Sequence, residues 1–416
     1  MTHRLTHSVG HWMPRDRKVV ERWLARMIEH VTDNPKPLHP IIEDFKDLIE
    51  GDPEIFMLFH MMFDQVPRKY KDDPTGAPQV RDYHLMLRLF NEIMTRAPEY
   101  MDNALVGFPI NAILDWPMGT SAGFAAFLNP KVNAQLEAML GEWARFLGSP
   151  DSRYVLGDEP KTGWFGKAAM KAMPDFDTTF VCQPRAPYHG FSSWDDFFTR
   201  EFRPGQRPVA CPDDDAVIVN ACEASPYCLA AKVKPRAQFW LKGQPYSLEH
   251  MLAGDSLTPQ FVGGTVYQAF LSALSYHRWH SPVTGTVVKA YVEPGTYYSE
   301  AQSEGFDPAG PNFSQGYITQ LATRGLIFIE ADNPSIGLIC FMAVGMAEVS
   351  TCDIRVYEGQ HVTKGDPIGM FHFGGSTHCL IFRPGVTLDF DLHGMKPNVN
   401  NSVNIPVNAR IATVRS

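Results

Sequence analysis

The sequence predicts an α+β protein, with a helical N-terminal domain over residues 1–185 and a β-rich barrel or sandwich domain over residues 186–416. Two observations support this division. Apolar residues recur at helical spacing through the first part, whereas the second consists of short β-rich runs separated by glycine, proline and asparagine. A chain of 416 residues that is 44% hydrophobic is also long enough for two or three domains.

The helical part contains several amphipathic segments. In the first of them, Trp23, Leu24, Met27 and Val31 lie on one helical face. Prolines separate it from the next segment, and many of the Met and Phe residues are expected to form the core. The predicted helices cover residues 19–31, 41–49, 54–66, 83–95 and 132–147.

The pattern changes near residue 185. Arg200, Arg203 and Arg207 follow a short helix-like piece at helical spacing, and strands are predicted from there on. A long polar loop spans residues 299–316, and loops of this length in compact domains are usually lids or are disordered. The predicted strands are 216–221, 238–241, 264–270, 285–292, 326–330, 336–344 and 354–357.

Composition excludes several classes of protein. The formal net charge of −9 argues against nucleic acid or an anionic membrane as a partner, and no apolar run reaches membrane-spanning length. Seven cysteines without a Cys-x-x-Cys motif, and no secretory signal, predict a cytoplasmic protein with reduced thiols. His3, His7 and His11 have the spacing of metal ligands, but we interpret this segment as an irregular terminus and expect no metal site.

The chemistry is expected at Phe371-His-Phe-Gly-Gly-Ser-Thr377, where glycines permit a close turn. The Ser376 hydroxyl can attack the carbonyl carbon of Gly375 there and convert the amide to an ester. Elimination then cuts the chain, and hydrolysis of the resulting dehydroalanine leaves a pyruvoyl group, a ketone that serves as an electron sink. Taken alone, this motif is a weak signal, because Gly-Gly-Ser-Thr is also the sequence of an ordinary turn.

Self-processing requires a base for the Ser376 proton. His277 and His280, in Tyr276-His-Arg-Trp-His280, are candidates, because histidine titrates near neutral pH. Glu223 follows an apolar run and is a candidate carboxylate to orient that base. From the residues alone, structural histidines and an exposed strand-end glutamate explain the same pattern.

Four motifs in this order resemble the phosphatidylserine decarboxylase family, over about residues 188–385. The resemblance implies a covalent pyruvoyl cofactor made from Ser376, with His280 as the processing base and His277 as the proton donor in decarboxylation. Glu223 stands where the family has the aspartate of Pro-Ala-Asp-Gly, so it is implied as the third member of the triad. The motifs lie at residues 194–208, 239–248, 276–280 and 365–377.

Departures from the family pattern bear on the substrate. Ser275 replaces an aspartate, residues 331–334 lack the family's asparagine–arginine pair, and no membrane anchor is evident. These features resemble the fungal branch of the family that decarboxylates aromatic L-amino acids. They imply that the substrate is a free amino acid, most of all tryptophan. They also imply that His372 lies beside the pyruvoyl group and that the two fragments of the cleaved chain remain associated.

Two alternatives remain open on the sequence. One is a phosphatidylserine decarboxylase that makes phosphatidylethanolamine by the same chemistry on a lipid. The other is a non-catalytic barrel protein that never cleaves itself. No motif supports a metal or nucleotide enzyme, and no requirement for pyridoxal phosphate is expected.

Overall fold

A computed structural model describes residues 18–69, 80–100, 109–237, 246–271, 274–301, 314–348, 351–397 and 403–415. The predicted histidine segment at the N-terminus, the strand at 238–241 and most of the 299–316 loop lie outside these residues. The described chain forms two compact units. One comprises Met1–Pro174, Pro184–Phe197 and Thr296–Ser314, and the other comprises Asp175–Gln183, Phe198–Gly295 and Gln315–Ser416.

Twelve α-helices are present in the described residues, and the five predicted from periodicity are among them. They are α1 (Lys18–Asp33), α2 (Pro40–Gly51), α3 (Pro53–Lys69), α4 (Tyr83–Ile93), α5 (Pro109–Met118), α6 (Ser121–Ala126), α7 (Pro130–Leu147), α8 (Lys167–Ala172), α9 (Phe176–Thr179), α10 (Trp194–Phe198), α11 (Leu248–Met251) and α12 (Gln315–Leu321). Short 3₁₀ helices cover Pro150–Val155, Pro187–Gly190 and Thr258–Phe261.

In the helical unit, side-chain caps fix where helices begin and buried aromatic rings form part of the core. Asp82 accepts a hydrogen bond of 2.7 Å from the Leu85 backbone N–H and so begins α4. Phe45, Phe59 and Phe90 are fully buried, and the Phe45 ring lies edge-on to Phe59 at 5.7 Å. These phenylalanines are core residues, as the periodicity predicts.

The β-rich unit contains thirteen strands among the described residues. They are β1 (Val217–Val219), β2 (Ser225–Ala231), β3 (Thr265–Leu271), β4 (Arg278–His280), β5 (Gly285–Glu293), β6 (Arg324–Ala331), β7 (Leu338–Met346), β8 (Cys352–Ile354), β9 (His361–Val362), β10 (Pro367–Phe371), β11 (Gly375–Phe382), β12 (Leu388–Phe390) and β13 (Arg410–Val414).

These strands confirm the α+β prediction, but they form three open sheets in the described chain and no closed barrel. The largest has the order β2-β3-β11-β7-β6-β5-β9, and all of its pairings are antiparallel. The smaller sheets have the orders β1-β13-β12 and β4-β10-β8. Strand β11 therefore lies inside the large sheet, paired with a strand on each side, and Ser376 near its start is buried.

Candidate active site

Ser376 is the second residue of β11, directly after a glycine turn. Gly374 has φ of +133°, a backbone angle that favours glycine and so explains its presence in the motif. In the register of the sheet, Ser376 lies opposite Leu271 on β3 and Gly345 on β7. Its side chain is fully buried, and its Oγ has no hydrogen-bond partner among the residues that the structure describes. The hydroxyl is therefore not committed to a structural role.

The neighbouring Thr377 is held firmly on the opposite face of the strand. Its Oγ1 donates to the Ala269 carbonyl at 2.9 Å and accepts from the Gln268 amide nitrogen at 3.1 Å. The Gln268 amide oxygen in turn accepts a hydrogen bond from the Tyr246 hydroxyl, and Tyr246 is buried as well. This polar network fixes the strand immediately beyond the predicted cleavage site.

His280, on β4, has both ring nitrogens engaged. Nδ1 lies 2.7 Å from the Gly365 carbonyl oxygen, and Nε2 lies 2.8 Å from the Tyr276 hydroxyl. Because a carbonyl only accepts, Nδ1 carries the proton and Nε2 accepts the hydrogen bond from Tyr276. Burial lowers the pKa of His280, and the hydrogen bond to Gly365 partly offsets this effect. The ring is therefore a neutral base with its lone pair on Nε2.

Glu223 forms a bidentate ion pair with Arg207, at 2.6 and 3.0 Å, and accepts a hydrogen bond of 2.9 Å from the Val407 backbone N–H. In the described residues it has no hydrogen bond to His280. Its charge nevertheless acts to raise the pKa of His280, against the larger effect of burial. The carboxylate is thus in electrostatic range of the base without contacting it.

His277 lies one residue before β4 and is fully buried. Its ring stacks on Phe198 at 4.0 Å, and neither ring nitrogen has a hydrogen bond of good geometry to the described residues. Burial, reinforced by the charge of Arg200, holds the pKa of His277 well below its ordinary value. The His277 carbonyl accepts a hydrogen bond from Phe371, which ties the histidine segment to the chain leading into Ser376.

His372 lies between β10 and the glycine turn. Its Nε2 is 3.2 Å from the Asp353 carboxylate, and both side chains are about a quarter exposed, at 27% and 24%. Among the described residues, no group of three or more His, Cys, Asp or Glu side chains is arranged to hold a metal ion. Nor does the described part of the chain include a helix long and apolar enough to cross a membrane.

One histidine near Ser376 was missed by the sequence analysis. His378 is fully buried on β11, two residues after Ser376, and it lacks a well-formed hydrogen bond to any described residue. Burial lowers its pKa to about 3, and the Ala269 backbone only partly offsets this. The alternation of side chains along a strand was the available signal, since residues two apart share a face.

Comparison with known proteins identifies the family. Two phosphatidylserine decarboxylase domain models match this chain, one over residues 39–173 and one over residues 194–412. The chain is 40% identical to L-tryptophan decarboxylase of Psilocybe cubensis, over 82% of this chain and 80% of that protein. It is 37% identical to L-tryptophan decarboxylase of Psilocybe cyanescens, over 97% and 94%, and 45% identical to decarboxylase iboD of Amanita muscaria, over 68% and 86%.

The second of these models spans more than half of the chain and includes Ser376 and both histidines of the Tyr-His-Arg-Trp-His motif. The relatives are aligned over most of their own length as well as most of this one. We conclude that the chain is a decarboxylase and belongs to the phosphatidylserine decarboxylase family.

Proposed function

We propose that the chain cleaves itself between Gly375 and Ser376, and that the mature enzyme decarboxylates a free aromatic L-amino acid, L-tryptophan first among them. The observation that carries the proposal is the state of Ser376. A buried serine hydroxyl without a hydrogen-bond partner in the described chain, directly after a glycine turn, supports a reaction with the peptide bond before it. Membership of the decarboxylase family supplies the chemical context.

In maturation, the Ser376 Oγ forms a bond to the Gly375 carbonyl carbon, and the amide C–N bond breaks. The hydroxyl proton passes to a base, and the released nitrogen gains a proton. Loss of the Cα proton and cleavage of the Cβ–Oγ bond then free the Gly375 carboxylate. One water hydrolyses the remaining enamine, with release of ammonia. We assign the base to His280, whose neutral form keeps a lone pair on Nε2.

The residues around Ser376 fit a pyruvoyl group, because its carbonyl would stand at the start of a strand that Thr377 anchors. That carbonyl supplies the electron sink for loss of CO2. Glu223 acts through its charge on His280, and His277 delivers the proton to the substrate carbon. His372 is assigned to the edge of the site, where its pairing with Asp353 keeps an imidazole close to the glycine turn.

Cleavage at residue 375 leaves a fragment of 41 residues, because 416 − 375 = 41. In the uncut chain, most of β11 lies in this fragment, and its residues pair with β3 on one side and β7 on the other. Strand β13, also in the fragment, pairs with β1. We therefore propose that the two fragments stay associated after cleavage, held by backbone hydrogen bonds on several edges.

The substrate assignment follows from the relatives. Two proteins that align with most of this chain are L-tryptophan decarboxylases, and free amino acids are a different class of substrate from a lipid. Apolar side-chain binding discriminates weakly between aromatic rings, by about 1–3 kcal/mol. We therefore expect phenylalanine and tyrosine to react as well, more slowly than tryptophan.

The test compares CO2 release from L-tryptophan with release from phosphatidylserine vesicles, using purified enzyme without added pyridoxal phosphate. We expect tryptamine and CO2 from the amino acid and no faster reaction with the lipid. The D-enantiomer serves as the control for specific binding. Faster turnover of the lipid would replace the amino-acid assignment by phosphatidylserine decarboxylation, and an uncut, inactive chain would support a non-catalytic role.

A second prediction separates maturation from decarboxylation. His277→Phe keeps an aromatic ring against Phe198 and removes both ring nitrogens. We expect this variant to cleave normally but to decarboxylate about 10²–10⁴-fold more slowly, the usual contribution of a proton-transfer residue. Fragment yield on a denaturing gel and amine formation per mole of fragment measure the two steps. His361→Ala, an exposed histidine paired with Asp332, is the control.

If His277→Phe did not cleave, His277 would be assigned a role in maturation and not only in decarboxylation. Normal turnover would remove it from the mechanism.

A further inference from the structure

Three buried polar side chains on one face of the large sheet have no hydrogen bond of good geometry to the described residues. They are the Ser376 hydroxyl, the His378 imidazole and the Tyr267 hydroxyl. Most buried polar groups in proteins form well-aligned hydrogen bonds, so three on one face that do not require an explanation. Only Ser376 has a role in the function proposed above.

The strand geometry makes His378 a neighbour of Ser376. Both side chains project from the same face of β11, and residues two apart on a strand are about 6.6 Å apart between Cα atoms. The His378 ring packs against Phe341 at 5.9 Å and against Tyr267 at 6.1 Å, measured between ring centroids. Aromatic packing therefore holds the imidazole in place beside the residue that reacts.

Stability alone does not favour a histidine at this position. An imidazole that exchanges water for an apolar environment loses hydrogen bonds that nothing in the described chain fully restores. Phenylalanine has a similar shape and would avoid that cost. The lowered pKa of His378, caused by burial, also means that the ring is neutral at pH 7 and retains an acceptor nitrogen.

We propose that His378 is a positioning residue for self-cleavage: its imidazole accepts a hydrogen bond from the Ser376 hydroxyl, either through one water that Tyr267 also binds or directly once the serine side chain rotates toward it. This hydrogen bond turns Oγ toward the Gly375 carbonyl carbon. This inference rests on the proposed self-cleavage. The serine proton is not transferred to His378 but passes to the processing base, so no further reactant is required. The family motif ends at Thr377 and does not include this histidine.

The test follows cleavage over time after cell-free synthesis of the full chain, with thermal unfolding of the purified protein as a second measurement. We expect His378→Phe to slow formation of the 41-residue fragment by about 10–100-fold, the scale of effect that misplacement of a reacting group produces. We expect its unfolding temperature to be at least that of the wild type, because an unsatisfied polar group is replaced by an apolar one. His378→Gln restores a hydrogen-bonding group and is expected to recover part of the rate.

Cys379→Ala is the matched control, since Cys379 is equally buried on the next position of β11 but faces the other side of the sheet. It is expected to mature at the wild-type rate. Wild-type cleavage in His378→Phe would overturn the proposal and leave His378 as a packing residue. His378→Leu removes the same nitrogens and decides the question if the phenylalanine variant does not fold. A wild-type chain that never cleaves would instead refute the proposed function.

Discussion

Ser376→Ala is expected to remain a single uncut chain and to have no decarboxylase activity. The substitution removes only Oγ, the atom that attacks the Gly375 carbonyl, and alanine fits the space of the buried serine. Because the hydroxyl has no partner in the described chain, its loss breaks no hydrogen bond there and the fold should be retained. Intact mass spectrometry of the purified protein measures the result, with the wild type giving two pieces.

Ser335→Ala, in an exposed turn of the same unit, controls for the loss of a serine hydroxyl as such. Thermal unfolding of both variants should match that of the wild type. If the Ser376→Ala protein were cleaved at residue 375, or retained activity, then a pyruvoyl group derived from this serine would not be the cofactor.

The helices and the reactive segment were predictable because their signals are local. Apolar periodicity placed α1, α2 and α7 within a few residues of their observed ends. The glycine pair before Ser376 likewise indicates a turn, and Gly374 adopts the positive φ that such a turn requires. These features depend on residues close together in the chain, so the sequence carries them directly.

Features that depend on distant residues could not be predicted. Arg200, Arg203 and Arg207 have helical spacing, but they lie outside the helices and bind three different parts of the chain. Arg207 pairs with Glu223, whereas Arg203 donates to the Asp177 and Cys182 carbonyls. Nothing in the sequence indicates that Arg207 would form an ion pair with Glu223, the carboxylate that was expected to orient His280.

His378 illustrates a different limit. Residues 376 and 378 share a face of any strand that contains both, so the sequence allows His378 to be placed beside Ser376. The family motif ends at Thr377, however, and does not indicate a role for His378. Its buried imidazole lacks a well-formed hydrogen bond because Phe341 and Tyr267, on other strands, pack against it. Only the assembled sheet provides that information.

His280→Ala is expected to block self-cleavage, with the rate falling by about 10²–10⁴-fold, the range typical for loss of a general base. The geometry explains why this histidine suits the role. Its Nδ1–H is fixed by the Gly365 carbonyl, so the tautomer with a lone pair on Nε2 is the one present. That lone pair is held by the Tyr276 hydroxyl in the uncut chain, and it must be released before it can accept the serine proton.

Tyr276→Phe provides the matched comparison, because it removes the competing donor and leaves the base intact. We expect this variant to cleave at least as fast as the wild type, whereas His280→Ala stays whole for the same time. Formation of the 41-residue fragment in a timed denaturing gel measures both. Normal maturation of His280→Ala would show that the base is another residue, and slow maturation of Tyr276→Phe would mean that the tyrosine relays the proton instead of restraining it.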